Sequence, residues 1–247
     1  MASRADNFGS ERWLGGYDTV VVVTCLASIA IAAVYWMLRI GFDDPVSTPA
    51  RVVGLALFVH SFPFVASSLI TRPNSAQSSR WWSSYGFLWI VALIITAILG
   101  RLVPVTGYSP LPFLAIIGAA SFAWTFSRWI VRAPLWRSVV LIIGCACFSF
   151  WASGVVWGRI YKNPLYLENF ILNGRVHHDT LYVAAIANML RTYGVATTGI
   201  DGLNYVPWHW GSPWFFAQFA YLVDLNMLDF YQLAFPVIVI PLFFGAP

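Results

Sequence analysis

Between Asp44 and Glu168 the chain contains no acidic residue. That stretch is a succession of apolar runs at 52–71, 81–100, 111–127 and 138–157, and another precedes it at 17–38. Each is close to the roughly 20 residues that a helix needs to cross a bilayer. With 59% hydrophobic and only 10% charged residues, the chain cannot cover a globule with polar groups, since a soluble domain carries about 25% charge. Its solvent is therefore expected to be lipid, and lipid admits only helices or closed barrels. Long unbroken runs rather than period-two alternation select helices. The expected fold is an all-α, polytopic transmembrane bundle of about six to seven helices. It divides into a five-helix region (1–157), a polar segment (158–213) and C-terminal membrane helices (214–247). The first run lacks a small-residue cleavage site and reads as a retained helix.

Arginine supplies 13 of the 14 basic residues, singly or in small groups at the ends of the apolar runs. That is the distribution of membrane-flanking anchors, and it gives no stripe for nucleic acid. With the N-terminus in the cytoplasm, Arg4, Arg12, Arg72, Arg80, Arg128, Arg132 and Arg137 fall on the cytoplasmic side. The two short outer loops hold only Arg39, Arg51 and Arg101. The positive-inside bias then predicts a cytoplasmic N-terminus in a bacterial inner membrane and an extracytoplasmic 158–213 segment. Trp81, Trp82, Trp129, Trp136 and Trp157 stand at run ends, as interfacial aromatics do. Cys25, Cys145 and Cys147 lie in apolar runs and read as packing residues rather than a disulfide framework. His60, beside Pro63, is the one histidine in a span. It reads either as a functional group at membrane depth or as a side chain bonded to a neighbouring helix.

The polarity missing from the first five runs returns after them. Glu168, Asp179, Asp201, Asp224 and Asp229 are half of the acids, and His177, His178 and His209 are three of the four histidines. From Asp179 to Tyr193 apolar residues recur at spacings of three and four, at Leu181, Ala184, Ala185, Ile186 and Met189. This predicts a short amphipathic helix over 179–193 lying along the outer membrane interface. Asp179 or Thr180 would cap its start and Gly194 would end it in a left-handed turn. Asp201-Gly202 reads as a tight turn, and Pro207, Gly211 and Pro213 bound a loop rich in Trp and His. Adjacent histidines diverge, and no H-x-x-x-H pair is present, so a tight zinc site is not expected. The cofactor left open by the pattern is a divalent ion at Asp179.

The order of residues here resembles polytopic glycosyltransferases of the GT-C type, which draw sugars from polyprenyl-phosphate donors. The similarity rests on Asp179, Tyr182, Ile186, Ala187 and Met189, then Gly194, Asp201, Gly202, Leu203, Tyr205 and His209. It covers 177–230. It implies that Asp179 is the catalytic carboxylate, acting as base on the acceptor hydroxyl. It also implies that His178, Tyr182, Arg191, Asp201, Tyr205 and His209 bind substrate, with His209 near the donor phosphate. His178 stands where many members carry a second acid or a polar residue. On this resemblance the chain is an N-terminal portion or a shortened relative of such an enzyme. Its expected partners are membrane lipids and a lipid-linked sugar. The competing expectation is a non-catalytic accessory subunit of a larger membrane complex, to which its 13 tryptophans would contribute packing surface.

Overall fold

The computed structural model describes residues 7–38, 47–70, 85–132, 134–152, 178–197 and 210–241. Among them every regular element is helical. Five long helices come first: α1 (Asn7–Leu38), α2 (Ser47–Ile70), α3 (Tyr85–Thr106), α4 (Leu111–Arg132) and α5 (Leu135–Ala152). Three shorter helices follow: α6 (His178–Tyr193), α7 (Gly211–Val223) and α8 (Met227–Asp229). A π-helical turn (Phe230–Ala234) then leads into α9 (Phe235–Val239). Among the described residues, three stretches, Ser47–Leu69, Gly86–Thr106 and Leu111–Arg132, are long and apolar enough to cross a membrane, and apolar helix also occupies Asp18–Ala33 and Leu135–Trp151.

Burial inverts the pattern of a water-soluble protein. On α3, Ile90, Ile94, Ile98, Leu102 and Val105 face outward, while Thr96 is fully buried. On α4, Phe113 and Ile116 are exposed while Ser121 and Thr125 are buried. In water such faces would be an aggregation hazard. In lipid they cost nothing, and it is polar groups that must be covered and bonded. Three buried hydroxyls comply: Thr24 donates to the Val20 carbonyl (2.8 Å), Thr96 to that of Ala92 (2.6 Å) and Thr125 to that of Ser121 (2.9 Å). All three cysteines are free, Cys25 and Cys145 buried and Cys147 exposed.

The centre of the bundle is α2, which buries more than half of its span where α3 and α4 bury under a third. It lies against α1, α3, α4 and α9. Its contact with α4 is made by small residues. A Cβ on Gly118 would stand 2.7 Å from the Phe58 Cα, and one on Gly54 would stand 2.6 Å from the Ala115 Cβ. Ser61 adds a polar link by reaching the Leu57 carbonyl of its own helix (2.6 Å) and the Gly118 carbonyl of α4 (3.0 Å). His60 is fully buried, with the backbone of Ile238 in α9 beside it.

Element boundaries differ from the hydropathy pattern where charge sits at a span end. α3 runs past the expected stop at Gly100, through Arg101 and Pro104, to Gly107, which takes φ +67° and bonds the Val103 carbonyl (2.8 Å). Arg101 is exposed, so it does not interrupt the helix. Ser109 then accepts from the Leu111 amide at the start of α4 (3.3 Å) and donates to the Leu222 carbonyl of α7 (3.2 Å).

Gly118→Ala is expected to destabilise the bundle by about 1–3 kcal/mol, because the new methyl meets backbone that cannot turn aside. Gly144→Ala on α5, where an added Cβ meets nothing within 4 Å, is the control. Thermal unfolding in detergent should separate the two, and equal melting temperatures would contradict the close α2–α4 approach.

Candidate functional site

The amphipathic segment forms a helix, α6, as its periodicity requires. It ends at Gly194, which adopts φ +71° and donates to the Leu190 carbonyl (3.2 Å). Only glycine enters that left-handed region without cost. The buried stripe is Ala184, Ile186, Ala187 and Leu190, while Leu181, one turn earlier, is left exposed. This stripe packs along α7, with Trp214 against Ile186 and Leu190.

Two ties lock α6 to the end of α7. The Arg191 guanidinium donates to the Leu225 carbonyl (2.6 Å) and lies 4.2 Å from the centre of the Tyr221 ring. The Tyr221 hydroxyl returns a bond to the Arg191 carbonyl (2.8 Å). Beyond Val223 the chain reverses at Asp224, a non-glycine residue at φ 53°, whose amide bonds the Tyr221 carbonyl (3.4 Å). Aspartate tolerates this conformation better than most side chains. Its carboxylate meets Arg51 at the start of α2 (3.3 Å), and Arg51 also donates to Thr48 (3.1 Å). Asn226 accepts from the Asp229 amide (2.8 Å) and caps the next helix. Thus the start of α2, the α3–α4 turn, the end of α6 and the α7–α8 reversal meet at one end of the bundle.

The expected site residues distribute as follows. His178 and Asp179 belong to the first turn of α6, with side chains outside the described set. Tyr182 is exposed on the same helix. Arg191 is engaged in the clasp with Leu225 and Tyr221. Asp201, Tyr205 and His209 lie outside the described residues. Among the described residues no group of three or more His, Cys, Asp and Glu gathers as a metal site. Sequence reasoning missed Tyr221, Arg51 and Ser109. Their partners lie 30 to 173 positions away, so no local pattern signals them.

On its other side α7 borders an apolar cavity of about 190 Å³, lined by Trp89 of α3, Phe215, Phe216 and Phe219 of α7, and Phe230 and Phe235 beyond the reversal. Such a lining accepts hydrocarbon and rejects charge. One helix thus stands between a polar, amphipathic segment and an aromatic hollow. Among the described residues the protein is all-helical, with three helices fit to cross a membrane. Set against protein-family models, curated proteins and solved structures, the chain matches none.

Arg191→Ala removes a charge-assisted bond and a ring contact, together worth about 2 kcal/mol. Amide exchange across 184–193 is expected to rise roughly tenfold or more, while exchange in 54–62 of α2 stays the same. A uniform rise in both segments would show that the clasp carries the whole fold rather than α6.

Proposed function

We propose that this chain is an integral membrane protein of the GT-C glycosyltransferase type, with six to seven membrane helices. Its N-terminus lies in the bacterial cytoplasm, and 158–213 lies on the far side of the inner membrane. There it transfers a sugar from a polyprenyl-phosphate donor. The observation that carries the reading is the position of α7. One of its sides holds α6, whose first turn bears Asp179, and the other lines the aromatic cavity. A lipid-linked sugar has the same division, with a polar phosphosugar at one end and a hydrocarbon tail at the other.

The chemistry required is modest. A carboxylate takes the proton of the acceptor hydroxyl as the new glycosidic bond forms, and the phosphate leaves with the bonding pair. Asp179 is the proposed base. His209, Tyr205 and Asp201 are the proposed contacts to the donor, with His178 and Tyr182 beside them. Arg191 has its role in this reading as the residue that fixes α6, since its guanidinium is bonded to Leu225. A divalent ion, if the site uses one, would be held through Asp179 and would neutralise the leaving phosphate.

Asp179→Asn keeps the side-chain volume and removes the base. In membranes containing the chain, transfer from a polyprenyl-phosphate sugar is expected to fall about 10²–10⁴-fold with no change in thermal unfolding. Transfer at the native rate by Asp179→Asn would remove this residue from the mechanism.

A further inference from the structure

A second cavity, of about 310 Å³, lies at the opposite end of the bundle from the α6–α7 clasp, where α1, α4 and α5 meet. Its walls include Asp18 and Thr19 of α1, Trp129 and Arg132 of α4, and Arg137 and Leu141 of α5. The volume is at the lower end of the range for small-molecule sites, about 300–1,000 Å³. Its level is set by three markers. Asp18 lies two positions before the apolar run of α1 that opens at Val20, Arg132 ends the span of α4, and Leu135 opens α5. The cavity therefore sits where hydrocarbon gives way to headgroups.

Its charges are organised. The Asp18 carboxylate is 1% exposed and accepts from Arg132 through Oδ2 (3.2 Å), while its other oxygen, Oδ1, is buried and has no partner. A buried carboxylate oxygen without a donor is costly, and such an oxygen marks a place where a donor belongs. Trp129 donates to Thr19 (3.2 Å) and closes one side. The Arg132 side chain is half exposed, and Arg137 lines the cavity without an ion pair among the described residues. Two guanidinium groups thus line the same cavity as a carboxylate that has one oxygen without a donor.

We propose that this cavity binds the headgroup of a phospholipid, with the phosphate held by Arg132 and Arg137 and a headgroup ammonium or hydroxyl donating to Asp18. Guanidinium suits phosphate through paired, charge-assisted bonds. Basic pockets between membrane helices at the headgroup level are suited to lipid phosphates. Leu141 continues the wall toward the apolar stretch of α5, where an acyl chain would lie. The assignment concerns the end of the bundle away from α6 and holds whether or not the chain transfers sugar.

The test is native mass spectrometry of the full chain in detergent, titrated with phosphatidylethanolamine, phosphatidylcholine and soluble glycerophosphoethanolamine. The first two lipids have the same net charge, but only ethanolamine carries N–H donors. The native chain is expected to retain phosphatidylethanolamine about tenfold better than phosphatidylcholine, and the soluble headgroup at least tenfold less well than the lipid. Arg137→Gln, which breaks no ion pair among the described residues, is expected to weaken both lipids about tenfold. Asp18→Ala is expected to remove the preference between them. Equal retention of the two lipids by the native chain would overturn the role of Asp18. Unchanged retention in Arg137→Gln would overturn the phosphate site. Binding of the soluble headgroup as tight as that of the lipid would show a site for a free phosphate ester instead. Should Asp18→Ala fail to fold, the native comparison and Arg137→Gln still decide the matter.

Discussion

The contact between α2 and α4 leaves no space for a side chain at Gly118, whose added Cβ would press on the Phe58 backbone. Helices in lipid gain little from burying apolar surface against each other, because lipid is as apolar as they are. They associate where small residues let backbones approach and where hydroxyls find carbonyls. Gly54, Ala115, Gly118 and Ser61 meet both conditions on one seam. With α2 held at the centre, α1 and α3 find their places beside it, and α9 docks with its Ile238 backbone beside His60. Once α9 is fixed, the reversal at Asp224 sets the line of α7, and α7 in turn carries α6.

That dependence explains how a short amphipathic helix far from the bundle centre is held firmly. Its burial is modest, four small or medium residues on one stripe. What adds to it is the reciprocal bonding of Arg191 and Tyr221, which links the last turn of α6 to the last turn of α7 and to Leu225 beyond it. The carbonyl of Leu225 is available because the αL conformation at Asp224 has ended the helix. The same break exposes Asp224 to Arg51 of α2. A surface pair of this kind adds little stability, but it matches the α7 reversal to the start of the central helix. The two ends of the bundle differ in kind: one gathers acids, amides and tyrosine around short helices, and the other sets arginines around a buried carboxylate.

Much of this was legible in the residues, and the reasons for the remainder are physical. Long apolar runs placed α1 to α5 because hydropathy over about 20 residues is a summed signal that no single position can upset. Gly194 was legible as a helix end because its backbone requirement is local. The ends at Thr106 and Arg132 were not, since an exposed arginine such as Arg101 can continue a helix into the headgroup region without cost. Asp224 reads in sequence as an interruption of an apolar run, and only the fold shows it as a left-handed turn with an ion pair to α2. Leu181 fits the apolar period of α6 yet stays exposed, because periodicity names a face and not the length of that face that a neighbour covers. The approach of Ile238 to His60 brings together residues from distant parts of the chain, beyond the reach of any local pattern.

The central claim is that the α6–α7 clasp and the α4–α5 turn lie on opposite sides of one membrane. It is tested by labelling single cysteines with a membrane-impermeant maleimide in intact bacterial spheroplasts, in a Cys147→Ala background where Cys25 and Cys145 are buried. Tyr193→Cys and Leu135→Cys place the probes at residues that are 70% and 76% exposed. The account requires Tyr193→Cys to label in intact spheroplasts and Leu135→Cys to label only after the membrane is broken. Labelling of both from outside, or the reverse order, would contradict it.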